Sequence, residues 1–166
     1  MNILRKWPFS PTTTTLDVAG ESIITRPYQM VIWASLTLDD APPASAARLP
    51  VILDTGHNHN FSIRASQLEK WAGISPGQCR KIGAILVNRE ELPLLAVDAW
   101  IHRNRPGTDQ LLPHPVRLLL PEGISVYPSE SASAPRLPLL GLRGLVRNRW
   151  RVVIDGTQLS LSKKTA

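Results

Sequence analysis

The tripeptide Asp54-Thr55-Gly56 closes a short apolar run, Leu49-Pro50-Val51-Ile52-Leu53, and this junction constrains the fold more than any other part of the chain. Val51, Ile52 and Leu53 read as a buried strand, a brief apolar stretch bounded by Pro50 before and Gly56 after. A carboxylate, a hydroxyl and an unencumbered backbone then stand at the mouth of that strand. Asp and Gly are also ordinary turn residues, so the tripeptide alone fits a strand that ends in an Asx-type turn. A second apolar-glycine step, Leu139-Leu140-Gly141, lies far downstream and supplies what a matching strand needs to pack beside that mouth.

The residues after the second step keep a regular order. Leu137–Leu140 reads as a strand and the segment from about Leu142 to Asn148 as a short helix. Trp150–Ile154 and Thr157–Leu161 then form a hairpin around Asp155-Gly156, a pair in which both residues tolerate positive φ. Upstream, strand patterns fall at Tyr28–Leu38, Phe61–Ile63, Arg80–Val87, Leu92–His102, Val116–Leu120 and Ile124–Tyr127. Ala65–Ala72 reads as a helical turn ended by Gly73, and Asp39–Arg48 as a loop rich in Pro, Ala and Ser. Many short strands with 15 Pro and 10 Gly place the chain in the all-β class. Its 166 residues fit one domain, 1–166, with residues 1–20 as a loosely ordered arm or edge segment.

The two glycine steps, the short helix and the closing hairpin give residues 28–161 a resemblance to the retropepsin-like, single-domain aspartic proteases. That family pairs a hydrophobic-Asp-Thr/Ser-Gly strand with a later hydrophobic-hydrophobic-Gly step, a short helix and a closing strand. The resemblance implies a closed β-barrel or sandwich with one short helix after the Leu-Leu-Gly strand. It also implies a flap, for which the Ile82–Val97 segment with its tip near Asn88–Leu92 is the best placed hairpin. Two positions depart from the pattern. His57 stands where the family usually has a small residue, and Leu142-Arg143 where an Arg-Asp/Asn pair often follows the glycine.

The implied function is an aspartic endopeptidase acting on a peptide or protein substrate, with no cofactor and no metal. One carboxylate cannot serve as both acid and base, and no second Asp-Thr-Gly or Asp-Ser-Gly occurs in the chain. The resemblance therefore implies a homodimer in which two Asp54 side chains meet and share one proton. Thr55 would brace the pair and Gly56 would allow close backbone approach. His57, as a possible modulator, would become cationic in mild acid and lower the apparent pKa values of the pair. Strands for the dimer are expected from Ile3–Phe9 or Leu16–Thr25 and from Leu159–Leu161. The alternative is a retropepsin-like domain that has lost catalysis and serves as a binding or assembly module, with His57–Asn60 and a charged flap as its signs.

Composition bounds the remaining classes. Cys79 is the only cysteine, so an intrachain disulfide is excluded. The longest apolar run, Met30–Leu38, is interrupted by Ser35 and Thr37, and no apolar signal core follows Arg5 and Lys6. These features point to a soluble, cytoplasmic protein without a membrane partner. The net charge of +6 gathers at Arg143, Arg147, Arg149 and Arg151, but Trp150 alone supplies aromatic interleaving, so a solvated face is favoured over nucleic-acid binding. His57 and His59 would share one side of a strand and form a metal pair only with a third ligand such as His102 or His114.

Overall fold

The computed structural model describes residues 1–38 and 44–164. Of the expected Asp39–Arg48 loop, residues 39–43 lie outside that range. In chain order the strands are β1 (Asn2–Pro8), β2 (Thr14–Val18), β3 (Glu21–Thr25), β4 (Val31–Thr37), β5 (Leu49–Asp54) and β6 (Phe61–Arg64). Helix α1 (Ala65–Ala72) and a 3-10 turn at Pro76–Gln78 come next. They lead to β7 (Lys81–Val87), β8 (Glu90–Leu95), β9 (Asp98–Ile101), β10 (Val116–Leu118), β11 (Ile124–Tyr127) and β12 (Leu139–Gly141). Helix α2 (Leu142–Arg147) and the hairpin β13 (Trp150–Asp155) and β14 (Gln158–Lys163) complete the order.

Nine strands form one sheet in the order β10-β9-β4-β5-β12-β6-β11-β8-β7. The middle of this sheet is buried on both faces, which is why β5 reads as an unbroken apolar run instead of an alternating one. Its outer strands, β10 and β7, do not pair with each other, so among the described residues the sheet is open and the expected closed barrel does not form. Along the far strand β7, Lys81, Ile82, Ala84 and Leu86 are exposed. The all-β class holds, with two helices: α1 at the helical turn expected over Ala65–Ala72, and α2 after β12. Gln67, Leu68 and Trp71 turn into the core, and Gly73 ends α1 in the left-handed conformation at φ +70°.

A second sheet has the order β1-β14-β13 and packs on the first through one core. Ile3, Leu4 and Trp7 from β1 and Leu159 and Leu161 from β14 join Ile32, Val51, Leu53, Phe61 and Leu140 there. Residues 1–20 thus supply an edge strand paired antiparallel to β14, and then β2, which pairs with β3. The register of β1 shifts twice, and Lys6 sits at φ +50° within the irregular stretch. Asn104 closes the gap this leaves. Its Oδ1 accepts the Arg5 N–H at 2.8 Å, and its Nδ2 donates to the carbonyls of Arg5, Arg105 and Thr108.

The C-terminal hairpin forms with its loop one residue later than expected, so that Ile154 lies opposite Leu159 and not Thr157. Asp155 pairs with Gln158, so the two-residue loop is Gly156-Thr157, and only Gly156, at φ +58°, is left-handed. The hairpin of β7 and β8 turns at Asn88-Arg89, both at positive φ, as a tight two-residue loop of this kind requires.

Candidate active site

Asp54 is the last residue of β5, and β12 runs parallel to β5 with Gly141 opposite Asp54. On its other side β12 runs antiparallel to β6. The chain therefore makes β5, turns through residues 55–60, makes β6, and much later threads β12 between the two. The Gly141 N–H donates to the Asn60 carbonyl at 3.0 Å and the Leu142 N–H to the His57 carbonyl at 2.8 Å. The loop lies so close over β12 that a side chain at 141 has no room. A Cβ there would sit 2.0 Å from the His59 carbonyl oxygen and 2.6 Å from that of His57.

At the mouth, the Gly56 N–H donates to Asp54 Oδ1 at 2.9 Å and the His57 N–H to the Asp54 carbonyl at 3.2 Å. An ordinary strand end would turn in the same way. What separates this site from such a turn is Gly141 beneath it. Asp54 is half-buried, and its Oδ2 has no partner among the described residues. Thr55 is exposed and its hydroxyl has no partner among the described residues. A Cβ on Gly56 would press to 3.2 Å from Asp54 Oδ1, which accounts for a glycine there.

His57 turns inward. Its Nε2 lies 2.8 Å from Ser62 Oγ, which lies 2.6 Å from Ser125 Oγ, and Ser125 donates to the Phe61 carbonyl at 3.1 Å. Each serine has one proton to give. With the Ser125 proton on Phe61, Ser62 donates to Ser125 and accepts from the Nε2–H of His57. Burial lowers the His57 pKa, repulsion from His59 lowers it further, and Asp54 opposes both. The ring thus stays neutral to lower pH than an ordinary imidazole, and the expected cation beside the carboxylate in mild acid does not follow from this geometry. This serine chain gives no sequence signal, because its members lie on β6 and β11, far apart along the chain.

The His57 and His59 rings meet edge to face, with centroids 5.2 Å apart. No third ligand reaches them. His102 is buried with Nε2 on Ser35 Oγ, His114 is exposed in a loop, and among the described residues no group of three or more His, Cys, Asp or Glu is arranged to hold a metal.

The basic run acquires a distant acidic partner. Glu122 takes Arg147 at 2.7 Å and Arg143 at 3.3 Å, and it accepts from Asn60 Nδ2 at 3.0 Å. Burial pushes the Glu122 carboxyl up, but Asn60, Arg147 and Arg143 outweigh it and hold the group below the usual carboxylate range. The Glu122 cluster ties α2 and the end of the 55–60 loop to the β10–β11 connection.

The β7–β8 hairpin, expected as the flap, borders the site. Ile85 and Leu94 line a small cleft with His59, Asn60, Glu122 and Arg143. The hairpin is also anchored: Leu92 packs with Tyr127 and Ala134, and Glu90 accepts from Ser131 and Ser133. A cleft between Trp7, Leu16, Arg26, Trp33 and Leu111 includes no residue of the 54–60 loop.

Among the described residues no helix is long and apolar enough to cross a membrane. Comparison with protein-family models, with curated proteins and with solved structures returned no match.

Proposed function

We propose that the chain is a retropepsin-like aspartic endopeptidase that hydrolyses peptide bonds as a homodimer, with one Asp54 from each copy. The observation that carries this reading is the insertion of β12 beneath the Asp54 loop. It sets Gly141 opposite Asp54 with no room for a Cβ, while Asp54 Oδ2 is left without a partner. A turn that only reversed the chain would need no such buttress. The protomer brings one carboxylate to this mouth, which fits a site completed by a second copy.

In the dimer the two carboxylates, too close for both to ionise easily, share one proton. The ionised one takes a proton from water as that water attacks the scissile carbonyl. The protonated one gives its proton to the carbonyl oxygen; the carboxyl that took the proton from water then passes it to the leaving amine as the C–N bond breaks, and a hydroxyl of the tetrahedral diol returns a proton to the pair. Thr55, exposed beside the pair, braces it across the two-fold axis. The substrate lies extended against the β7–β8 hairpin, with Ile85 and Leu94 bordering a side-chain pocket. His57 acts by position: its neutral ring, held by Ser62, props the loop that carries the carboxylate. Cys79, the one cysteine of the chain and half-buried, fits a cytoplasmic protein built without disulfides.

The test is cleavage of an unfolded protein or a peptide library by the parent and by Asp54→Asn. The variant keeps the side-chain shape and the bond to Gly56 while removing acid and base. Activity is expected to vanish with unchanged thermal unfolding. Equal cleavage by both proteins moves the chemistry away from Asp54, and a folded parent inert from acidic to neutral pH favours a binding or assembly module.

A further inference from the structure

Strand β13 is an edge. β14 lies on one side of it and, among the described residues, no strand on the other. The hairpin fixes which backbone groups face outward. Asp155 and Gln158 flank the two-residue loop, so that pair and every second pair behind it exchange bonds within the hairpin. The Lys164 N–H bond to the Arg149 carbonyl falls on the same parity. Val152 and Ile154 therefore turn their N–H and C=O groups to the unpaired side. Side chains alternate as well. Arg151, Val153 and Asp155 are exposed on one face, while Val152 and Ile154 lie on the other. Val153 is 40% and Ile154 54% exposed, although both are large and apolar.

Such an edge invites pairing with another chain unless something blunts it. Here its sequence, Arg151-Val152-Val153-Ile154-Asp155, complements itself on reversal. We propose that two copies pair β13 antiparallel about a two-fold axis through Val153, joining the two terminal sheets into one. In that register Val152 lies opposite Ile154 of the partner subunit, and each such pair exchanges both of its outward backbone bonds. Val153 meets Val153 of the partner subunit on the axis. Arg151 meets Asp155 of the partner subunit, and the symmetry repeats that ion pair at the other end. No other register about this strand satisfies both charges and keeps the apolar residues together.

The contact also fits what the protomer has already used. β14 has β1 on one edge and β13 on the other, and Ile3, Leu4, Leu159 and Leu161 are buried in the protomer's own core. Of the strands expected from the sequence to build a dimer, β14 is therefore paired on both sides; β1 and the β2–β3 pair keep outer edges among the described residues, and β13 is the terminal edge whose sequence complements itself. One strand edge covers less than the roughly 800 Å² per partner of a standard interface. Leu142 and Val146, one turn apart on α2 and 41% and 64% exposed, extend the apolar surface on the element that touches β13. The proposal deepens the dimer reading above and rests on it for the meeting of the two Asp54 side chains; the strand pairing itself stands on β13.

Charge exchange tests it. Arg151→Asp and Asp155→Arg each set like charges against each other at both ends of the contact. Each alone is expected to raise the dimer dissociation constant at least about tenfold in a sedimentation dilution series. An equimolar mixture restores opposite charges at both ends and is expected to form a heterodimer as tight as the parent. Ile154→Lys, which leaves the intrachain ladder untouched, is expected to give a monomer with native circular dichroism, and it decides the matter should a charge variant fail to fold. A monomeric parent, folded variants as dimeric as the parent, or a mixture no tighter than its components overturns the interface. A parent that dimerises in this charge-dependent way but cleaves nothing supports the interface and removes only the peptidase reading.

Discussion

His102 enters the core at the end of β9 with its Nε2 2.8 Å from Ser35 Oγ and its Nδ1 buried without a partner. Burial, and then repulsion from Arg48, lowers its pKa to about 4. The sign follows from the two states. The unfolded chain binds a proton near pH 6.5 and the folded one does not, so this contribution to stability is whole above 6.5. It is lost as pH falls from 6.5 towards about 4. A shift of that size corresponds to roughly 3 kcal/mol when fully developed. His57 and His59 are displaced in the same direction, burial being the first cause for each. The denaturant midpoint of the parent is expected to fall steeply across that window, and that of His102→Gln less steeply. Proton NMR of the His102 ring is expected to titrate near 4; a midpoint near 6.5 means that the ring reaches water. The sequence offered His102 as the end of a strand and as a candidate third metal ligand. It had no means of showing Ser35, 67 positions away, just as it had none of showing Asn104 fastening Arg5 across 99.

The elements divide by whether their cause is local. α1 was legible because Gly73 follows directly on a run whose Leu68 and Trp71 share one face, and β5 because its apolar run is short and bounded. The C-terminal hairpin was legible, but its register was not, since Asp155-Gly156 and Gly156-Thr157 both contain a residue suited to positive φ. Packing against β1 chooses between them. The threading of β12 between β5 and β6 is non-local: the sequence marked the Leu137–Leu140 strand and its glycine step as fit to pack beside the Asp54 mouth, but not β6 on its other side. Two substitutions at this scale separate space from conformation. Gly141→Ala drives a Cβ into two carbonyl oxygens of a loop held by hydrogen bonds, where backbone must move, and is expected to cost about 3 kcal/mol. Gly156→Ala meets nothing within 4 Å and strains only φ, at about 1 kcal/mol. Urea unfolding of the two variants checks the order; equal losses mean that β12 does not lie beneath the Asp54 loop.

Over the whole molecule, the least legible feature is how the ends of the chain are used. Read alone, residues 1–20 are a loosely ordered arm or edge segment, with Ile3–Phe9 a candidate strand for a second copy. In the fold, β1 closes the terminal sheet against β14, with Ile3 and Leu4 each 1% exposed and Trp7 4% exposed. Trp7 also donates its Nε1–H to the Val31 carbonyl at 2.8 Å, linking the terminal sheet to β4 of the large one. Burying three such side chains contributes about 6 kcal/mol, comparable with the whole net stability of a domain of this size, about 5–15 kcal/mol. Removal of residues 1–8 is therefore expected to abolish cooperative unfolding at every protein concentration, because the loss lies inside each protomer. An arm exchanged between copies gives a different result: the truncated chain stays folded and becomes monomeric. Circular dichroism melts and sedimentation of the truncated chain, run from low to high concentration, tell the two apart. A folded monomer would return β1 to the interface and take from β13 its place as the free edge at which two copies meet.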